Sequence, residues 1–215
     1  MLVKICGITR LDDARAAVDA GARALGFVFW PGSPRFIDPY RARAIVTALP
    51  PFVTTVGVFA DQELEYVSGV ASLARLGAVQ LHGRETPEYA AAIGRPVLKA
   101  IPIGDGADVH ENRPVDEAAW SPSTTLLLDV HDPVRYGGTG RTIDWTVAAR
   151  IAARRPVLLA GGLTPDNVAD AVARVRPFGI DVSSGVERAP GVKDHQRIRT
   201  LFESLYAIHH LTPRS

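Results

Sequence analysis

The chain has 215 residues, of which 47% are hydrophobic and 22% charged, and 24 basic against 23 acidic side chains leave a formal net charge of +1. This composition predicts a folded domain with a substantial core, and the near-neutral charge gives no electrostatic reason to expect nucleic acid or an anionic membrane as a partner. The single cysteine excludes an internal disulfide framework and any zinc site built from several cysteines.

Short apolar runs rich in β-branched residues alternate with amphipathic segments, which predicts alternating strands and helices. Strands are predicted at residues 2–6, 24–29, 54–59, 78–81, 97–101, 124–130, 157–160 and 179–182. Helices are predicted at residues 11–20, 38–49, 62–76, 87–93, 143–154, 165–175 and 195–206, with Thr9 as the N-cap of the first and a further short helix at 116–120.

No apolar run approaches the roughly 20 residues that span a bilayer, and the first residues read as a strand rather than as a signal peptide. A soluble, cytoplasmic protein without membrane contact is therefore expected.

The predicted strands are apolar almost throughout, as in residues 126–128, which is typical of parallel strands covered by helices on the sheet faces. Eight strands, nearly all followed by a helix, predict an α/β protein with a single-domain (β/α)8 TIM barrel at residues 1–207. An open, doubly wound parallel sheet is the alternative. Residues 208–215 are interpreted as a C-terminal tail, and its paired His209 and His210 as a frayed end rather than a metal site.

In such a barrel, functional side chains directly follow the carboxyl ends of the strands. The positions that stand out there are Cys6, Arg35, His82, Asp129, the glycine loop at 136–140, Gly161, Gly162, Ser183, Ser184 and Gly185.

The loops after the seventh and eighth strands predict a phosphate site. Gly161 and Gly162 end one strand, and Ser183, Ser184 and Gly185 end the next. Glycines let backbone N–H groups approach an anion, and barrels frequently bind phosphate with these two loops. Ordinary tight turns are the alternative, but two adjacent glycine loops favour a small phosphorylated molecule as the ligand.

Asp129 and Cys6 are the candidates for acid–base chemistry. Burial at the end of an apolar strand should raise the pKa of Asp129, which suits a general acid, although an Asp that caps a helix or braces a loop is an equal alternative. Strand alternation places Lys4 on the same side as Cys6, where an ammonium would lower the thiol pKa and favour a general base. A structural ion pair for Lys4 and a simple buried thiol for Cys6 are the alternatives.

Arg35 and His82 complete the set. The planar guanidinium of Arg35 suits a carboxylate or a phosphate, with a solvated loop arginine as the alternative. His82 is either a ligand or hydrogen-bond donor, or a structural histidine.

Six stretches resemble, in this order, the phosphoribosylanthranilate isomerase family, and the similarity runs from residue 4 to about residue 205. They are residues 4–9 (KICGIT), 80–83 (QLHG), 128–129 (LD), 137–140 (GGTG), 160–163 (AGGL) and 181–187 (DVSSGVE).

The resemblance implies an Amadori rearrangement of N-(5-phosphoribosyl)anthranilate in tryptophan biosynthesis, without a metal or an organic cofactor. It implies that Asp129 protonates the furanose ring oxygen and that Cys6 removes the proton from C2. Arg35 would meet the anthranilate carboxylate and His82 would line the site. Gly161, Gly162, Ser183, Ser184 and Gly185 would hold the phosphate. Both a monomer and a homodimer are compatible with it.

Three rival functions stay open at this stage. Lys99 lies in a predicted strand and could form a Schiff base with a carbonyl substrate, as in barrel aldolases. A metal-dependent sugar-phosphate epimerase would need more ligands than His82 and Asp129. A non-catalytic phosphosugar-binding protein would keep the phosphate loops without needing Cys6 or Asp129.

Overall fold

A computed structural model of the chain describes residues 1–104, 117–130 and 143–211. In these residues eight parallel strands close into a barrel in chain order, with the eighth pairing back onto the first. The strands are β1 (Leu2–Ile5), β2 (Ala24–Val28), β3 (Thr54–Phe59), β4 (Ala78–Leu81), β5 (Val97–Ile103), β6 (Thr125–Val130), β7 (Val157–Leu159) and β8 (Gly179–Val182). The predicted (β/α)8 barrel is confirmed, and the open-sheet alternative is wrong.

The helices pack around the outside of this barrel. They are α1 (Leu11–Ala20), α2 (Pro39–Thr47), α3 (Leu64–Leu73), α4 (Pro87–Ala92), α5 (Trp145–Ala152), α6 (Val168–Val175) and α7 (His195–Leu211). A 3₁₀ helix (Glu117–Ala119) precedes β6, where the short helix was predicted. No helix of the described residues is long and apolar enough to cross a membrane.

Strand alternation sorts the side chains between two environments. In β1, Val3 and Ile5 belong to the large apolar layer between strands and helices, whereas Lys4 points inward and reaches Asp181 on β8. In β6, Leu126 and Leu128 pack outward in the same way, and Leu127 joins a small cluster inside the barrel. Alternation therefore turns Lys4, Cys6 and Asp129 toward the barrel interior.

The outer layer supplies most of the apolar burial. Phe27, Phe29 and Phe59 are fully buried, and the rings of Phe29 and Phe59 stack with centroids 5.3 Å apart. Truncating any one of these rings to alanine would cost about 3–5 kcal/mol. This packing holds the strand ends, and hence the site, in place.

Several predicted boundaries differ from the structure. β5 continues to Ile103 past Pro102, because residues 101–103 pair with Leu128, Asp129 and Val130 of β6. The predicted Thr9 N-cap is wrong, since α1 is preceded by Arg10 and the Thr9 hydroxyl donates instead to the carbonyl of Gly191. α7 extends to Leu211, so residues 208–211 of the predicted tail are helical, while residues 212–215 and the glycine loop at 136–140 lie outside the described residues.

The sequence did not predict the elements that follow β8, a 3₁₀ helix (Ser184–Val186) and a hairpin. An antiparallel hairpin of β9 (Glu187–Ala189) and β10 (Val192–Lys193) follows β8. The Pro190-Gly191 pair between its strands is a turn signal that could have revealed it. The hairpin lies beside the site and carries two buried charged groups, Glu187 and Lys193.

Candidate active site

A pocket opens at the carboxyl end of the barrel. Its wall contains eight of the predicted site residues: Cys6, Arg35, His82, Asp129, Gly161, Gly162, Ser183 and Ser184. Gly185 follows Ser184 and packs against the loop after β7. The barrel thus gathers these strand ends into one cavity.

Asp129 stands in this pocket with its side chain 15% exposed. Its Oδ1 accepts a hydrogen bond of 2.8 Å from the Val130 N–H. Burial raises the pKa of Asp129 from 3.8 to about 6, although the Val130 N–H and the Lys4 ammonium pull it the other way. The carboxyl therefore holds its proton far more tightly than a solvated Asp, as the sequence analysis expected.

His82 faces Asp129, with 3.5 Å between Nε2 of the ring and Oδ2 of the carboxyl. On the other side of the ring, Nε2 of Gln80 lies 3.0 Å from Nδ1. Because an amide NH₂ only donates, Nδ1 accepts, and the ring proton sits on Nε2 toward Asp129. Burial, aided by the Lys4 ammonium, lowers the pKa of His82 to about 4, so the imidazole is neutral at physiological pH.

Cys6 is buried at the carboxyl end of β1 and packs beside Val28 and Val58. The Lys4 ammonium lowers the pKa of this thiol, as predicted, but the net shift is upward. Burial raises the pKa of Cys6 above its ordinary 9.0, and the nearby Lys4 ammonium offsets only part of that increase. A thiolate at this position is thus costly, and Lys4 limits the cost without removing it.

Lys4 itself forms a structural ion pair, the predicted alternative to a role beside the thiol. Its fully buried Nζ lies 2.8 Å from Oδ2 of Asp181. Burial alone would lower the pKa of Lys4, but the Asp181 carboxylate and Cys6 outweigh it and the net shift is upward. Lys4 therefore stays charged within reach of the thiol, while Oδ1 of Asp181, on the pocket wall, has no partner among the described residues.

Arg35 is only 13% exposed, so the solvated alternative is wrong. Its Nε lies 3.0 Å from Oε1 of Glu187, and its Nη2 lies 2.7 Å from Oε2 of the same residue. This two-point pair occupies the Nε/Nη2 edge of the guanidinium. The Nη1 atom makes no hydrogen bond within the described part of the chain, which leaves a second edge for a ligand.

The two glycine loops meet closely at the pocket wall. Gly161 and Gly162 both have positive φ values, of 81° and 66°, which L side chains rarely adopt. No described residue accepts a hydrogen bond from either of their N–H groups. A Cβ on Gly185 would overlap the carbonyl oxygen of Leu163, so only glycine allows the loops after β7 and β8 to pack this tightly.

Comparisons with known proteins agree on one family. Residues 3–204 match the family model described as N-(5'-phosphoribosyl)anthranilate (PRA) isomerase. The N-(5'-phosphoribosyl)anthranilate isomerase of Desulforudis audaxviator is 54% identical over 202 residues, covering 94% of this chain and 96% of that protein. The chain belongs to the phosphoribosylanthranilate isomerase family. The resemblance seen in the sequence is confirmed, and with it the enzyme class, an isomerase of tryptophan biosynthesis.

Solved isomerase structures share the whole fold. A phosphoribosylanthranilate isomerase in complex with reduced 1-(o-carboxyphenylamino)-1-deoxyribulose 5-phosphate is 43% identical, with a TM-score of 0.82 and coverage of 96% of this chain and 100% of that one. A crystal structure of monomers of the dimeric phosphoribosylanthranilate isomerase from Thermotoga maritima is 42% identical, with the same TM-score and coverage.

The rival functions fit the isomerase site poorly. Nζ of Lys99 lies 2.8 Å from Glu85 and 2.6 Å from the Gly83 carbonyl, which makes it a structural ion-pair lysine outside the pocket wall. Among the described residues, no group of three or more His, Cys, Asp or Glu side chains is arranged to hold a metal ion. The family also argues against a non-catalytic binding protein.

Three charged residues near the isomerase site had not been singled out. Asp181 was seen only as part of a loop motif, and Glu187 and Lys193 lie on the missed hairpin. Asp181 carried a signal of its own, because it is a carboxyl group in the last predicted strand, the same situation that drew attention to Asp129.

Proposed function

We propose that this chain catalyses the Amadori rearrangement of N-(5-phosphoribosyl)anthranilate with Asp129 as the general acid and Cys6 as the general base. One observation carries the proposal. A carboxyl group that keeps its proton up to about pH 6 and the only thiol of the chain open into a single pocket.

The first step is ring opening. Asp129 donates its proton to the furanose ring oxygen, the C1–O bond breaks, and the nitrogen lone pair forms the C1–N double bond of an iminium ion. Asp129 is left as a carboxylate, and the Nε2–H of His82 is 3.5 Å away to stabilise it as a neutral donor. A neutral His82 suits this task, because an imidazolium would favour the ionised acid before the reaction begins.

The second step is proton removal from C2. The Cys6 thiolate takes this proton, and the C2–H bond electrons form the C1–C2 double bond as the iminium nitrogen becomes neutral. The resulting enolamine tautomerises to the 1-deoxyribulose ketone. The Lys4 ammonium stabilises the thiolate before this step and the Asp181 carboxylate holds Lys4 in place, 2.8 Å away. Such acid and base groups each contribute about 10²–10⁴-fold.

Two anchors orient the substrate between acid and base. The free edge of Arg35 would bind the anthranilate carboxylate. The loops around Gly161, Gly162 and Ser183–Ser184–Gly185 would bind the phosphate through their N–H groups. Holding both ends fixes the sugar over the reacting groups, which is where much of the rate enhancement of such a reaction arises.

The direct test is a fluorescence assay that follows loss of the anthranilate conjugate, with purified protein and a chelator in place of added metal. We expect turnover in the wild type and its loss in both the Cys6→Ala and Asp129→Asn variants. Absence of turnover in folded wild-type protein contradicts the proposed reaction, and turnover that depends on added metal contradicts the proposed mechanism.

Compartment, domain division and assembly complete the proposal. We place the protein in the cytoplasm, with residues 1–207 as the catalytic domain.

We propose a homodimer, because Phe52 before β3 is 90% exposed and Phe178 before β8 is 57% exposed on the amino-terminal rim of the barrel. Sedimentation should give a dimer that Phe52→Asp dissociates, and a monomeric wild type at micromolar concentration contradicts this assembly.

A further inference from the structure

The β9–β10 hairpin holds Arg35, the arginine proposed to bind the substrate carboxylate. Glu187 on β9 is almost fully buried, with its side chain 5% exposed, and both of its carboxylate oxygens bond Arg35 at 2.7–3.2 Å. Such a two-point pair between a planar guanidinium and a carboxylate fixes orientation as well as position.

Glu187 is itself held from several directions. Lys193 on β10 donates to its Oε1 at 2.8 Å, and the Gly191 N–H donates to the same oxygen at 3.2 Å. The Arg197 guanidinium binds the Glu187 backbone carbonyl at 3.1 Å. The carboxylate is therefore a rigid support rather than a mobile counter-ion.

The backbone around Arg35 is anchored independently of that support. The Arg35 N–H donates to Oγ of Ser33 at 3.1 Å, and Phe36 forms a bridge with Val28 at the end of β2. Loop geometry thus fixes where the arginine side chain starts, while Glu187 fixes where its guanidinium ends.

We propose that Glu187 is a positioning residue that pre-orients Arg35 for the carboxylate of the aromatic substrate. This inference rests on the proposed function of Arg35. Glu187 occupies the Nε/Nη2 edge, so the substrate carboxylate must bind the edge formed by Nη1 and Nη2. An unrestrained arginine side chain loses rotamer entropy when a ligand orders it, whereas the Arg35 side chain is already ordered by Glu187 before the substrate binds.

The same hairpin connects the two substrate anchors. Nζ of Lys193, which supports Glu187, also donates to the Ser183 carbonyl at 3.1 Å in the proposed phosphate loop. Oγ of Ser183 in turn donates to the Cys6 carbonyl at 3.2 Å. A single buried lysine therefore couples the arginine support to the loop after β8.

The test separates positioning from general damage by comparing two substrates. One is the anthranilate conjugate, and the other is the aniline conjugate of ribose 5-phosphate, which lacks the carboxylate. Glu187→Asp keeps the charge but shortens the side chain by one methylene, which breaks the contacts with Arg35. We expect KM for the anthranilate conjugate to rise about tenfold, with kcat nearly unchanged and no matching rise for the aniline conjugate. Glu203→Asp, on the exposed face of α7, is the matched control.

Two further variants keep the outcome decisive. Glu187→Gln keeps the length of the side chain and removes its charge, and it should show the same carboxylate-specific rise, which covers the case in which Glu187→Asp does not fold. An equal rise for both substrates, or tighter binding of the anthranilate conjugate in Glu187→Gln, overturns the positioning role. Arg35→Ala should likewise raise KM for the anthranilate conjugate only. If it raises KM equally for both substrates or for neither, the assignment of Arg35 is wrong. If Arg35→Ala shows the selective rise and the Glu187 variants do not, the assignment of Arg35 stands and the positioning role of Glu187 is wrong.

Discussion

Replacing Asp129 by asparagine should abolish activity while making the protein more stable. Burial raises the pKa of this carboxyl from 3.8 to about 6, so the ionised folded protein bears a cost of about 3 kcal/mol near neutral pH. Asparagine has nearly the same shape, stays neutral, and its oxygen can still accept from the Val130 N–H.

The sign of the pH dependence follows from the direction of the shift. Folded Asp129 binds its proton more tightly than the unfolded chain does, so stability falls as the pH rises from about 3.8 to about 6 and is level above that. The advantage of Asp129→Asn should be about 3 kcal/mol near pH 8 and about half of that near pH 5. For a chain of this length, 3 kcal/mol corresponds to a Tm increase of about 6–12 °C.

The assay is urea or thermal unfolding of both proteins at the two pH values, together with kcat from the fluorescence assay. Turnover should fall by at least about two orders of magnitude. Asp19→Asn, an exposed change on α1, is the control and should show no comparable gain. Equal stability of wild type and Asp129→Asn near pH 8 would refute the claim that burial holds this proton, and near-normal turnover would remove Asp129 from the acid role.

Three other measurements probe the base and the phosphate loops. Because the reaction needs a protonated Asp129 and an ionised Cys6 together, kcat/KM should rise about tenfold per pH unit up to about pH 6 and then level off. Alkylation of Cys6 should abolish activity and be slowed by substrate. Because burial raises the pKa of the thiol above its ordinary 9.0, the alkylation rate should still be increasing as the pH passes that value. A thiol that titrates near pH 6 would reverse the two assignments. Gly185→Ala must push the loops after β7 and β8 apart, and it should raise both KM and the inhibition constant of inorganic phosphate. Gly69→Ala, at a position with open space around it, is the control and should change neither constant. Unchanged phosphate binding in Gly185→Ala would show that this loop contact does not shape the anion site.

The order of elements was accessible from the sequence because each strand and helix leaves a local pattern. The runs at 54–59, 78–81 and 179–182 match β3, β4 and β8 residue for residue. The predicted boundaries were wrong where a contact with a residue distant in the sequence overrides the local pattern. Thr9 gives its hydroxyl to Gly191, and β6 extends β5 past Pro102.

The site likewise has features that follow from neighbouring residues and features that depend on residues distant in the sequence. Alternation along β1 and β6 was sufficient to turn Lys4, Cys6 and Asp129 inward, since it depends only on neighbouring residues. The partner of Lys4 is Asp181, 177 residues away, and the partner of Arg35 is Glu187, 152 residues away, so neither pair has a local signature.

The sequence by itself determined the barrel, the family and the strand ends that carry reactive groups. Only the tertiary structure decided how strongly each group holds its proton. Desolvation depends on every atom packed around a group, whatever its distance along the chain, and at Cys6 that burial outweighs the nearby Lys4 ammonium. For the same reason the neutral state of His82 and the fixed orientation of Arg35 were visible only once the chain had closed on itself.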